Sequence, residues 1–113
     1  YIGLATASAS DGDGITEVSN ANAYARVKIV DQTTDANNVF AAASNGSCST
    51  ATQITFATAS GGNWGTITHI GIWDSGTYGA GELIAWGALS VSKTITDGDT
   101  FIISSGSLTV TLD

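Results

Sequence analysis

The side chains able to do chemistry are few: one histidine, one cysteine and two glutamates among 113 residues. A thiol becomes a nucleophile only when a base or cation favours its thiolate. Cys48 sits in Asn45-Gly46-Ser47-Cys48-Ser49-Thr50, a turn running into a strand, and His69 falls on a different predicted strand. No Cys–His pair is therefore expected, and Cys48 reads as a half-buried small residue. His69 and Asp74 share a predicted strand five residues apart, which puts them on opposite faces. His69, set among isoleucines, reads as a hydrogen-bonded core or interface residue. The runs Asp11-Gly12-Asp13-Gly14 and Asp97-Gly98-Asp99 resemble pieces of a calcium loop, but each lacks the spaced oxygen ligands and the closing Glu. They read as β-turns in which Asp bonds its own backbone and Gly takes positive φ. Gly61-Gly62 lacks the Lys-Ser/Thr and the helix of a phosphate loop. No catalytic residue, metal or cofactor is assigned, and the chain is expected not to be an enzyme. A small hydrolase is the weakest reading.

The aromatic residues carry the other candidate chemistry, since flat rings stack on sugar faces. Trp73 and Trp86 are expected to fill the core. Trp64 and Tyr78, the latter in a glycine-rich connection, are the ligand-binding candidates of an alternative reading, a carbohydrate-binding or adhesive module that takes a surface glycan.

The elements that must position these residues are strands. Ser107-Leu108-Thr109-Val110-Thr111-Leu112 alternates Thr or Ser with aliphatics, the period of a half-buried strand. The pattern returns over 1–7, 24–30, 52–58, 64–74, 82–89 and 92–95, and in Phe101-Ile102-Ile103, which is expected to pair with 107–112 around Ser104-Ser105-Gly106. Residues 15–22 read as irregular, and Val39-Phe40-Ala41-Ala42-Ala43 leaves a helical turn open. The expectation is all-β: a single antiparallel β-sandwich, jelly-roll-like, of about seven to eight short strands over residues 1–113. Ile54, Phe56, Ile70, Ile72, Trp86, Leu108 and Val110 are expected in its core. The chain opens inside an apparent strand, so a native N-terminal segment is expected to precede it. Charged residues make up 12% and the formal net charge is −7. So acidic a surface repels nucleic acid and anionic membranes, and neither is expected as a partner.

Four motifs in order carry a family resemblance. Residues Trp64-Gly65-Thr66-Ile67-Thr68-His69-Ile70-Gly71-Ile72-Trp73-Asp74 resemble the W-G-x-I-T-H-x-G-I-x-D signature of small tailed-phage virion proteins labelled tail fibre proteins. Glu82 to Leu89 resembles L-L-x-x-G-A-L, Lys93 to Asp99 resembles K-T-V-x-x-G-D, and Gly106 to Asp113 resembles G-x-L-T-V-T-L-D. Upstream, Tyr1 to Leu4 and Glu17 to Arg26 resemble Y-V-x-L and E-V-x-x-x-x-Y-A-R. The resemblance implies a non-enzymatic structural protein of the virion, tail-associated or a capsid decoration, assembled in the host cytoplasm. It implies a homo-oligomer, a trimer, bound to other virion proteins. Arg26, Lys28, Trp64 and His69 are the expected interface residues. The basic pair Arg26 and Lys28 lies on one face of a predicted strand in an otherwise acidic chain, where it would meet acids of a neighbour such as Asp31, Asp97 or Asp99.

Overall fold

The computed structural model describes residues 1–8, 14–29 and 39–111. Eight strands are present among the described residues: β1 Ile2–Ser8, β2 Ile15–Glu17, β3 Ser47–Ser49, β4 Ile54–Thr55, β5 Gly65–Trp73, β6 Leu83–Ile95, β7 Ile102–Ile103 and β8 Thr109–Thr111. Every strand pair is antiparallel, and no helix occurs among the described residues. The chain divides into two compact units, Tyr1–Lys28 with Phe56–Phe101, and Ile29–Thr55 with Ile102–Asp113.

The first unit holds a four-stranded sheet in the order β2-β1-β5-β6. The interior strands β1 and β5 are covered on both faces, which is why apolar residues on them do not keep to one parity. Ile2, Leu4, Ala5 and Ile67 are fully buried. Gly3 pairs with Gly71 across β1 and β5. The Trp73 indole lies over both: a Cβ at Gly71 would sit 2.6 Å from Trp73 Cη2, and one at Gly3 would sit 2.7 Å from Trp73 Cζ3. Gly71→Ala must therefore push the ring or Ile15 aside. It is expected to cost about 1–3 kcal/mol by overpacking, read as a lowered urea midpoint. Two edge-to-face ring pairs complete this core, Tyr24–Trp64 at 5.4 Å and Phe56–Phe101 at 5.8 Å.

Two expectations change here. The strand expected over 24–30 contributes only Val27, in an isolated bridge to Ile2, because Asn22 and Ala23 both take positive φ and turn the chain just before it. Val30 and Asp31 lie outside the described residues. Residues 15–17, expected irregular, pair with β1 as an edge strand. The runs 82–89 and 92–95 prove to be one 13-residue strand with a wide bulge. Two steps along β5, from Ile67 to His69, face five along β6, from Lys93 to Ala88. A second irregularity falls where Ile72 and Trp73 meet Ala85 and Leu83.

The second unit consists of two ribbons, β3 with β8 and β4 with β7. The expected pairing of 101–103 with 107–112 does not form. The turn between them is instead spent on Thr50 and Ala51: Gly106 N donates to Thr50 O at 2.7 Å and Ser105 Oγ to Ala51 O at 2.9 Å. Each arm then pairs with an upstream segment, Cys48 with Val110 and Ile54 with Ile103. Phe40 bridges Thr50 in place of a helical turn. Ile54 and Ile103 are buried, whereas Leu108 and Val110 are only half-buried. A two-stranded ribbon has no inner strand to cover both faces. Ile72 in the first unit is likewise half-buried.

Candidate functional site

The chemistry-bearing residues of the first unit fall into a buried ionic cluster and a set of exposed apolar residues. The cluster is centred on Arg26. Its Nε and Nη2 donate to Glu17 Oε1 and Oε2, both at 2.8 Å, a bidentate pair with side-chain exposures of only 3% and 10%. Nη1 donates to Ser75 O at 2.7 Å and to Ala80 O at 2.9 Å. The guanidinium carbon stands 4.2 Å from the Trp73 ring centroid, where a planar cation meets the negative face of an indole. Tyr24 donates its hydroxyl to Glu17 Oε1 at 2.8 Å and accepts Leu4 N at 2.9 Å. Burial, above all, pushes the Tyr24 hydroxyl far above the ordinary phenol range, so it stays a neutral donor. The hydrogen bonds to Glu17 hold the Arg26 guanidinium above its usual value.

Two of the expected interface residues are thereby taken inside. Arg26 is spent on Glu17 and on loop carbonyls, because a guanidinium packed on an indole finds its donors' partners nearer in the fold than in solvent. Trp64, expected also as a sugar platform, is 6% exposed; it packs edge-on against Tyr24 and donates Nε1 to Asn22 O at 2.9 Å. Lys28 is exposed. His69 is half-buried, with Nδ1 2.8 Å from Thr68 Oγ1.

The exposed apolar residues lie on β6, the edge strand. Ile84, 66% exposed, and Trp86, 40%, share one face, and Val91, 64% exposed, lies in the bulge between Ala88 and Lys93. The Trp86 ring leans on His69 at 5.7 Å between centroids, tilted by 58°. Trp86 was expected in the core; it is exposed because the alternating residues Leu83, Ala85, Gly87 and Leu89 take the inner face. Both faces of this strand are apolar in sequence, so alternation alone left the choice open. Tyr78, 41% exposed, stands in the connection from β5 to β6 as expected.

The remaining candidates are placed as follows. Cys48 is half-buried in β3 of the second unit, while His69 belongs to the first. Asp74 Oδ1 accepts Glu82 N at 2.8 Å. Asp99 Oδ2 accepts both the amide and the hydroxyl of Thr96 at 2.9 Å, and Asp97 Oδ1 accepts Gly61 N at 3.0 Å, with Gly98 at φ +89° between them. The Thr96 amide, then its hydroxyl, hold the Asp99 carboxyl below the usual range. A depressed value means this turn contributes fully above the unfolded value and loosens as pH falls through the folded one. Asp11, Gly12 and Asp13 lie outside the described residues.

The model of the family described as podophage GP4 fiber I protein gp80 matches residues 1–111. Among curated proteins, none is similar enough to count as a match. With nearly its whole length matched, the chain belongs to this podophage fibre protein family.

Proposed function

We propose that the chain is a non-enzymatic structural subunit of a podophage virion, which associates with copies of itself and docks on a larger assembly as part of a fibre. The observation that carries the reading is the exposed pair Ile84 and Trp86, with Val91 in the bulge beyond, on the β6 edge strand of a member of a fibre family. Large apolar side chains at 40–66% exposure leave water when a neighbour covers them. Lys28 and Lys93 are also exposed, in an acidic chain, and are suited to acids of a neighbouring copy such as Asp97 and Asp99. Three copies are the expected number.

Sedimentation velocity tests the reading. The unaltered chain is expected to run as an oligomer, and Trp86→Glu with Ile84→Glu to run as a monomer with an unchanged far-ultraviolet spectrum. Lys28→Glu is expected to weaken association by about tenfold or less, as for a rim charge. An unaltered chain that stays monomeric at high concentration, together with copies that do not touch in the particle, ends the proposal. A glycan-binding reading is favoured by one observation, the exposed Trp86 ring resting on the half-buried His69. Saccharide titration that quenches Trp86 fluorescence would select it.

A further inference from the structure

We propose that the connection Asp74 to Glu82 is a contact loop folded in advance, that Tyr78 at its tip inserts into a protein neighbour in the virion, and that Arg26 is its positioning residue. The inference rests on the fibre-subunit reading. It starts from an oddity of the ionic cluster. Glu17 already takes two of the guanidinium nitrogens, Nε and Nη2, yet the third, Nη1, donates to two carbonyls of this loop, Ser75 O and Ala80 O. The sheet hydrogen bonds do not need those contacts; the loop conformation does.

Further contacts brace the loop. Asp74 Oδ1 caps Glu82 N, Asp74 N donates to Glu82 O at 3.3 Å, and Ala80 N donates to Thr77 O at 3.1 Å. The Tyr1 ring lies against Gly76, where a Cβ would stand 2.5 Å from Tyr1 Cε1. Gly79 and Gly81 take φ of +73° and +77°, a region closed to most other residues. Thr77, Tyr78 and Gly79 at the tip are exposed. A loop already held in one conformation loses little entropy on binding, and tyrosine offers a large rigid contact with two torsions to freeze. That combination is wasted on a surface that meets only water.

The partner's chemistry follows from what surrounds the ring. Tyr78 keeps 41% of its surface open to a neighbour. The other exposed ionisable side chains of the loop are the carboxylates of Asp74 and Glu82. The neighbour is therefore a protein surface with an apolar pocket rimmed by Arg or Lys.

The test uses assembled particles in which position 78 carries a photo-crosslinking phenylalanine derivative. Irradiation is expected to join the chain to a second protein chain. Chain present in the particle without any protein adduct from position 78 overturns the contact, and leaves the fibre reading standing. A purified particle that lacks the chain ends the fibre reading and this inference with it. Arg26 is tested by amide exchange on the chain itself. Arg26→Lys is expected to speed exchange of the Thr77–Gly81 amides by about tenfold or more, while β1 and β5 amides keep their protection. Should that variant fail to fold, Glu17→Leu with Arg26→Met removes the donor to Ser75 O and Ala80 O without leaving a buried charge, and the same local acceleration is expected. Unchanged loop exchange in a folded variant removes the positioning role.

Discussion

Glu17→Ala is expected to lower the stability of the chain by about 3–5 kcal/mol, because it leaves the Arg26 guanidinium buried without its carboxylate. The partner groups that remain, two loop carbonyls and the Trp73 face, accept or attract the cation but do not neutralise it. Tyr24 also loses the nearer acceptor of its hydroxyl and keeps only Leu4 O at 3.4 Å, in a site too buried for water to replace the loss freely. The measurement is the urea unfolding curve, followed by tryptophan fluorescence. Replacing both charges, Glu17→Leu with Arg26→Met, is expected to recover most of the loss, because a well-packed apolar pair carries no desolvation cost. A single substitution that moves the curve by less than about 1 kcal/mol would show the pair to behave as a solvated surface bridge. The loop amides should still loosen in the double variant, since Met cannot donate to Ser75 and Ala80. Stability and loop order are thus separable readouts of one arginine.

Trp64→Ala is expected to cost about 3–5 kcal/mol and Trp86→Ala less than about 1 kcal/mol. The contrast is the test of which tryptophan is core. Trp64 loses its edge-to-face contact with Tyr24, its hydrogen bond to Asn22 O and a large buried volume. Trp86 gives up a tilted ring contact with His69 and partly exposed surface. Parallel urea curves at a concentration where the chain is monomeric measure both. The reverse order, with Trp86 the costlier, would contradict the placement of β6. In the assembled state Trp86→Ala should become the more damaging for association, because the covered face is where its energy lies.

What the sequence determined by itself was local. Strict alternation in Ser107 to Thr111 follows from the two-residue period of a strand, and the Thr/Ile-rich run Thr66 to Ile72, apolar on both faces, fits a strand covered on both sides. The Thr96-Asp97-Gly98-Asp99 turn was legible because its chemistry is contained in four residues: a glycine at positive φ and a carboxylate bonding three residues back. That the chain is of a phage fibre family was legible too, and the family model over residues 1–111 agrees with it.

Tertiary structure decided what depends on partners far away in the chain. The Leu83–Ala85–Gly87–Leu89 face and the Ile84–Trp86–Ala88 face are both apolar; only the position of β6 at a sheet edge exposes the second. β7 and β8 were expected to pair with each other, yet the Ser104–Gly106 turn bonds Thr50 and Ala51, so each finds a different strand. Arg26 and Glu17, nine residues apart with no helix between, share no periodicity that marks them as partners. Their meeting depends on Trp73 lying over Gly3 and Gly71, which only the pairing of β1 with β5 brings together. The period of a strand is set by the geometry of its own backbone, whereas burial is set by whatever packs on it. That is why Arg26 could be read as a surface cation in the sequence and is the most enclosed charge among the described residues of the fold.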